Sequence, residues 1–499
     1  MIDNAQSKLK QASSFTPASP SNSVQQANVL LIGCGPHAKR IYVPTLTALE
    51  SKGLVRLKAV IELERTRNIN EKYFKNSNIE LHYVDNMFND YALGETLERK
   101  LNKIVADKEI NAVVIATEPL SHMKYALWAA KKQLHILMDK PISTHINASN
   151  DMTQASKIAA DFRRLEKVRD NTKAFIVNAQ RRYHPGFQLI KNRIEEIALK
   201  YGIPVTNMQS MHCDGQWRLP KEILTQDYHP YNSGYGKVSH SGYHLIDIMS
   251  LLTATSFHKA AKSFDKIGVY TSFVKPSGLL LQQNRNDYLR VFGENYNKVS
   301  DYSDIQLRQA YKKCGEVDAT SVVTLYQNNE AICNLSLNLI HNGFARRSWI
   351  TPGQDLYKGN GRVKHEYHNI EQGPYQNIQI HSYQSKDKHD VNTIDDYKLG
   401  GNNHFDIHIF RNSDIIGGLP LEVISAEQLQ SAGGQFDGKL ITEKVKQKVV
   451  HEFIEIVRGV RNVKDTESDL STHQISTALM SLIYQSGISR KELQLEIKP

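Results

Sequence analysis

Between residues 27 and 50 the chain reads ANVLLIGCGPHAKRIYVPTLTALE, a continuous aliphatic run that meets two closely spaced glycines and then a helix-compatible stretch. A strand that is apolar at every position is buried on both faces, which requires a sheet covered by helices on both sides. The turn after it must be tight, and glycine at positions 33 and 35 supplies the backbone freedom for it. This one segment commits the first part of the chain to alternating strands and helices.

Further apolar runs follow in VRLKAVIEL, in INAVVIATEP after a polar helical region about 91–108, and in LHILMDKP after the helical segment SHMKYALWAAKKQ. A long polar helix, about 147–170, then leads to KAFIVNAQRRY, the expected last strand of this domain. Alternation of this kind predicts a parallel sheet with right-handed crossovers, a Rossmann-type α/β domain spanning residues 28–183.

Beyond it VTNMQSMHC, ATSVVTLYQ, AICNLSLNLIHN and YQNIQIHSYQ alternate with period two. They predict an α+β domain over 184–499 built on an open, mostly antiparallel sheet with one exposed face. The helix YHLIDIMSLLTA precedes most of these strands, and VVHEFIEIVRGV and STALMSLIYQSG close the chain as helices. Two polar, poorly periodic regions, about 265–315 and 380–435, read as long loops or insertions, and residues 1–27 as a disordered leader without a secretory apolar core.

The formal charge is +10, but 62 basic residues are interspersed with 52 acidic ones over the whole length, which argues against a nucleic-acid surface. Nothing approaches the roughly 18 apolar residues of a membrane span. The four cysteines, Cys34, Cys213, Cys314 and Cys333, lie far apart with no C-x-x-C pair, so neither a disulfide framework nor a thiolate metal site is expected. A soluble cytoplasmic protein fits these features.

Three constellations carry chemistry. Gly33-Cys34-Gly35-Pro36-His37-Ala38 is a G-x-G-x-x-A turn between strand and helix. Gly33 permits the turn, Gly35 lets a pyrophosphate approach the backbone, and Ala38 lets helix pack on strand. Glu62, at the end of the second apolar run, is placed to bond the adenosine ribose hydroxyls, which favours NAD; Arg65 and Arg67 leave NADP open.

In the second constellation, Thr117-Glu118-Pro119-Leu120-Ser121-His122 and Asp139-Lys140-Pro141 follow the third and fourth runs. Both should border the crevice beyond the strand ends, so Thr117, Pro119, His122, Asp139 and Lys140 are cofactor-site candidates. An ammonium at Lys140 there can stabilise charge on a substrate oxygen, and Pro141 can fix its direction, a cis bond being open to it.

The third is His240-Ser241-Gly242-Tyr243-His244-Leu245-Ile246-Asp247, which on a helix puts His240, His244 and Asp247 on one face. His244 is the candidate acid/base, since imidazole titrates near neutrality. A metal would need further ligands, for which His229, His365 and His404 qualify by residue type only, and none is expected.

These residues resemble the glucose-fructose oxidoreductase/inositol dehydrogenase/rhizopine-catabolism (Gfo/Idh/MocA) family. The resemblance rests on G-C-G-P-H-A, T-E-P-L-S-H, D-K-P in place of E-K-P, N-A-Q-R-R-Y-H-P and G-Y-H-L-I-D, and covers about residues 28–260 and 448–490. It implies an NAD(P)-dependent oxidoreductase moving hydride between nicotinamide and a carbon of a sugar, nucleotide sugar or cyclitol, and a homo-oligomer formed through the C-terminal sheet. By the same resemblance Lys140 and His244 are catalytic, and Gln180, Arg181 and Tyr183 line the substrate pocket with His240 and His244.

Members often carry an aspartate four residues before the histidine, where this chain has His240, a further candidate for catalysis. A second imidazole lacks the fixed negative charge that would raise the basicity of His244. Alternative functions within this frame are a glycoside-cleaving or internally redox-neutral use of NAD, and a dinucleotide sensor without turnover.

Overall fold

The computed structural model describes residues 25–85, 91–350, 361–385, 396–431 and 441–497. The expected leader lies outside the described residues up to position 24, and Ala27 already belongs to the first strand. Six strands, β1 (Ala27–Ile32), β2 (Val55–Leu63), β3 (Glu80–Val84), β4 (Ala112–Ile115), β5 (His135–Met138) and β6 (Phe175–Val177), form a parallel sheet in the order β3-β2-β1-β4-β5-β6. Every side chain of β1, β4, β5 and β6 is buried, as their continuous apolar runs require.

Helices α1 (Pro36–Arg40), α2 (Tyr42–Glu50), α3 (Arg67–Tyr73), α4 (Glu95–Asp107), α5 (His122–Lys131) and α6 (Met152–Val168) make the crossovers. Strand β3 was not legible in the sequence. Its five residues, ELHYV, sit at the sheet edge with none fully buried, so they lack an apolar run.

The second sheet contains β7 (Asn207–Cys213), β8 (Lys266–Val274), β9 (Asp318–Gln327), β10 (Glu330–Ile340), β11 (Lys364–Gln372), β12 (Gln376–Gln384), β13 (Phe405–Arg411), β14 (Leu421–Ile424) and β15 (Leu493–Glu496). Their order is β14-β13-β12-β11-β7-β10-β9-β8-β15, antiparallel at every junction except β7 with β10. Alternating burial in β9 to β12 leaves one face against helices and the other, with Tyr270 and Val322, exposed.

Between and after these strands lie α7 (Pro185–Tyr201), α8 (Pro220–Thr225), α9 (Tyr243–Lys259), α10 (Pro276–Gln282), α11 (Arg285–Phe292), α12 (Asp304–Ala310), α13 (Ser413–Ile416), α14 (Ala426–Ser431), α15 (Ile441–Val457) and α16 (Gln474–Ser489). Helix α7 starts with proline and stops at Gly202, whose φ of +68° ends it in the left-handed conformation.

Region 265–315 is not a loop, and neither is the described part of 380–435. Residues 265–315 hold β8 and the helices α10, α11 and α12, and the described part of 380–435 holds the end of β12, β13, β14, α13 and α14. The three helices are seven or eight residues long, too short for a 3.6-residue period to show. Their apolar residues still cluster, Leu279, Leu280 and Leu307 packing with Ile223 and Tyr231.

The two sheets are tied by consecutive arginines in the turn Gln180–Tyr183 after β6. Arg182 makes a two-pronged pair with Asp247 of α9, at 2.6 and 2.9 Å, and donates to Thr472 O ahead of α16. Arg181 pairs equally with Glu366 of β11, its Nε donating at 2.9 Å. Helix α16 returns to pack on α6, so the end of the chain covers the first sheet's helical layer. Among the described residues no helix is long and apolar enough to cross a membrane.

Removing Asp247 strands a fully buried guanidinium. Asp247→Ala is expected to destabilise the protein by about 3–5 kcal/mol, read as a lowered urea midpoint; an unchanged midpoint would show that the pair does not hold the fold.

Candidate functional site

At the carboxyl end of β1 the glycine turn crosses β4. A Cβ on Gly33 would lie 2.6 Å from Ala116 O, and the residue has φ of +91°, so only glycine fits there. A Cβ on Gly35 would meet nothing within 4 Å, so the backbone at this point faces open space. Pro36 is exposed as the first residue of α1, and Ala38 is buried against the sheet. This open backbone and the helix start fit a pyrophosphate.

Glu62 stands at the tip of β2 and accepts hydrogen bonds from the backbone N–H groups of Cys34 and, at 2.7 Å, Leu63. Its carboxylate is therefore held beside the glycine turn. Arg67 is engaged by Glu64 and Glu71 and lies over the Tyr83 ring, so it is not oriented toward the turn.

The loops after β4 and β5 are pinned to each other. His122 is fully buried, its ring nitrogens 2.8 Å from Pro141 O and 3.1 Å from Thr117 O. It shapes both loops from beneath, whereas Thr117, Glu118 and Pro119 are part-exposed. Asp139 accepts from the Tyr42 hydroxyl at 2.6 Å and Asn178 at 3.2 Å, with His37 3.8 Å away. Asp139 and His37 thus join α1 and α2 to the end of β5.

The Lys140-Pro141 peptide is cis. The Lys140 ammonium donates to the backbone carbonyl of His240. Burial is the largest influence on it and pushes its pKa down to about 8, against the pull of Asp139 and Asp214. Beside it the Glu118 carboxyl is pushed up to about 7, again by burial first, with Lys140 and Arg65 opposing.

The histidine segment is not the regular helical face the spacing predicts. Val238–Gly242 form a π-helical turn ahead of α9, which alters the register between His240 and His244. The His240 ring is 5% exposed, stacks on His229 at 4.7 Å, and meets Tyr231 and Tyr235 edge-on, both its nitrogens lacking a hydrogen-bond partner among the described residues. It is the backbone of His240 that meets Lys140.

His244 is part-exposed, and its Nδ1 has no hydrogen-bond partner among the described residues. Burial first, then Lys140, Arg181, Lys446 and Lys364, hold it well below the usual imidazole range, so it is neutral. Asp247 faces the other way, into the pair with Arg182 and onto His473 at 3.0 Å, so it belongs to the fold and not to a shared face.

Of the pocket residues expected beside it, Gln180 is buried with its Oε1 unpartnered, but Arg181 is already bound to Glu366. Tyr183 points away, donating to Glu452 of α15 at 2.6 Å. His365 and His404 stack on Tyr383 in the second sheet, far along the chain from His229 and without joining it. Among the described residues no group of three or more His, Cys, Asp and Glu is arranged to hold a metal.

Sequence reasoning missed a buried network under the π turn. Lys237, fully buried, donates to Asp214 at 2.5 Å, His212 at 2.9 Å and Ser241 at 2.8 Å, while His341 lies 3.5 Å from Asp214. Only the four-residue spacing of Lys237 and Ser241 hinted at it. Asp214 follows β7, a strand whose end no motif marks.

Residues 27–161 match the Gfo/Idh/MocA family model, described as oxidoreductase family, NAD-binding Rossmann fold. The N-terminal domain is thus an NAD-binding Rossmann domain of the Gfo/Idh/MocA oxidoreductase type. No curated protein matches the sequence.

The whole chain is similar in fold to solved oxidoreductases. A levoglucosan dehydrogenase in complex with NADH and L-sorbose has a TM-score of 0.57 at 14% identity, covering 94% of this chain and 99% of that one. The WlbA dehydrogenase from Bordetella pertussis, in complex with NADH and UDP-GlcNAcA, has a TM-score of 0.54 at 13% identity, covering 96% and 100%. An oxidoreductase from Agrobacterium radiobacter, in complex with NAD+, L-tartaric acid and magnesium, has a TM-score of 0.53 at 13% identity, covering 94% and 98%.

The position of Glu62 sets a cofactor test. Glu62→Ala is expected to weaken NAD+ about tenfold or more and NADP+ less, measured by fluorescence titration of the reduced forms; an unchanged NADH-to-NADPH ratio would remove Glu62 from ribose recognition.

Proposed function

We propose that the chain is an NAD-dependent dehydrogenase that moves hydride from a carbinol carbon of a sugar, nucleotide sugar or cyclitol to NAD+, or from NADH back to the corresponding carbonyl carbon. The observation that carries this reading is the contact of Lys140, at the carboxyl end of β5, with the π turn that precedes the neutral His244, at the same end of the first sheet as the open backbone of Gly35. Open parallel sheets bind ligands beyond those strand ends, and β1 and β4, where the order of strands reverses, flank the turn.

Bound NAD+ would supply the hydride acceptor. Lys140, as an ammonium, holds the substrate oxygen and stabilises negative charge on it. His244, neutral and with a free ring nitrogen, takes the hydroxyl proton as the carbinol becomes a carbonyl. The surrounding cations make the imidazolium short-lived, which favours handing that proton on to solvent. His240 acts through its carbonyl, which aims Lys140, so in this reading it is a positioning residue.

Lys140→Ala is expected to leave NADH affinity within a few-fold while turnover falls by several orders of magnitude, as for a group acting in the transition state. Below about pH 8 Lys140 carries its proton and above it loses it, so kcat/KM should fall as pH rises through that value. A rate that rises there instead would make the lysine a base, and equal turnover in the variant would remove it from the reaction.

The exposed side of the second sheet, with Tyr270 and Val322, is proposed as a self-association face. Light scattering should report a homo-oligomer that Tyr270→Asp weakens; a monomer at micromolar concentration would discard this. All four cysteines are buried thiols, which suits a reducing cytoplasm.

A further inference from the structure

Arg181 and Lys364, both of which act electrostatically on His244, line a small pocket open to solvent together with Gln180, Glu366, Ser382 and Phe405, among others. Lys364, on β11 opposite Gln384 of β12, differs from the other cations here. Arg181 has Glu366, and Lys237 has Asp214. Among the described residues Lys364 has no hydrogen bond or ion pair, although it lines the pocket.

The two carboxylates that act on it, Glu366 and Asp214, are each already paired with another cation, Arg181 and Lys237. Glu366 is the one carboxylate in the lining, and its two oxygens are taken by Arg181, with His368 adding a contact at 2.9 Å. Burial and the neighbouring Arg181 push the Lys364 pKa down to about 7, so an ammonium is held there at a cost that an incoming anion would relieve. Gln180 adds a second unmet group: its Oε1 is buried, unpartnered and in need of a donor, and the residue is 7% exposed.

One ammonium whose neighbouring carboxylates are each already paired, with no ion pair of its own among the described residues, matches a monoanion. A phosphate monoester, close to a dianion at neutral pH, would leave charge uncompensated, and the guanidinium that would normally clamp it is spent on Glu366.

We propose that Lys364 receives the carboxylate of a sugar-acid substrate while Gln180 accepts a hydrogen bond from one of its hydroxyls. The chain then acts on polyhydroxy acids in preference to neutral sugars. This rests on the reading of Lys140 and His244 as the reacting end of the same site.

The test is calorimetric titration of the NADH-loaded protein with D-glucuronate, D-galacturonate and D-gluconate, each against its neutral amide, and with glucose 6-phosphate. At least one acid is expected to bind ten-fold or more tightly than its amide. Lys364→Gln should abolish that difference and Lys364→Arg should keep it, with NADH affinity the same in all three proteins. Equal binding of acids and amides, no binding of any acid, a preference that survives Lys364→Gln, or tighter binding of the phosphate each overturns the proposal. NADH formation is read separately. Oxidation of neutral sugars with no acid preference defeats the role of Lys364 and spares the dehydrogenase reading, whereas acid binding governed by Lys364 without NADH formation does the reverse.

Discussion

The pair between Arg182 and Asp247 is the constraint around which the rest of the molecule is arranged. Both side chains are cut off from water, so each charge is tolerable only because the other is held at hydrogen-bonding distance. Arg182 comes from the turn after β6 and Asp247 from α9, and the same guanidinium binds the carbonyls of Glu467 and Thr472 ahead of α16. One cation therefore fixes the first sheet, the helix behind the second sheet and the returning end of the chain. Its neighbour Arg181 does the same toward β11 through Glu366. Beside the second of these links, Arg181 and Glu366 line a pocket together with Gln180 and Lys364.

The charge balance around the site is uneven. Asp214 and Glu366 are both neutralised by internal cations, so neither is available to His244. Burial first, and then Lys140, Arg181, Lys446 and Lys364, keep the imidazole neutral. The usual aspartate would have stood at position 240. There the chain has a histidine whose ring is packed among His229, Tyr231 and Tyr235, and what the position contributes to the site is a main-chain carbonyl.

The segments between the longer strands serve that same turn. Tyr311, just after α12, donates to Pro220 O at 2.7 Å, and the N–H of Gly315 donates to Tyr231 O at 2.8 Å. A Cβ on Gly315 would lie 2.1 Å from the backbone of Tyr235, so only glycine lets the strand leading into β9 pass so close to the loop that carries the aromatic residues around His240. The short helices α10 and α12 pack with Tyr231, whose ring meets that of His240 in the π turn.

The sequence by itself determined five of the six strands of the first sheet, because buried parallel strands have to be apolar throughout, and it marked the glycine turn after the first of them. It also placed Lys140 at a strand end, made Gly33 and Gly35 necessary and picked out β7, β9, β10 and β12 by their alternation. It was silent where the signal is short or long-range: β3 is an exposed edge, α10 to α12 span barely two turns each, and β13 is seven residues within a polar stretch. Only the tertiary structure decided that Asp247 and Tyr183 serve packing, that Arg181 is already paired, and that Asp214, Lys237, Glu366 and Lys364 stand around the site. Periodicity reports a residue's own element and which side of it is apolar. Which opposite charge neutralises a buried one, and which lysine is left without a partner, depends on groups up to 185 positions apart that meet only when the two sheets are packed.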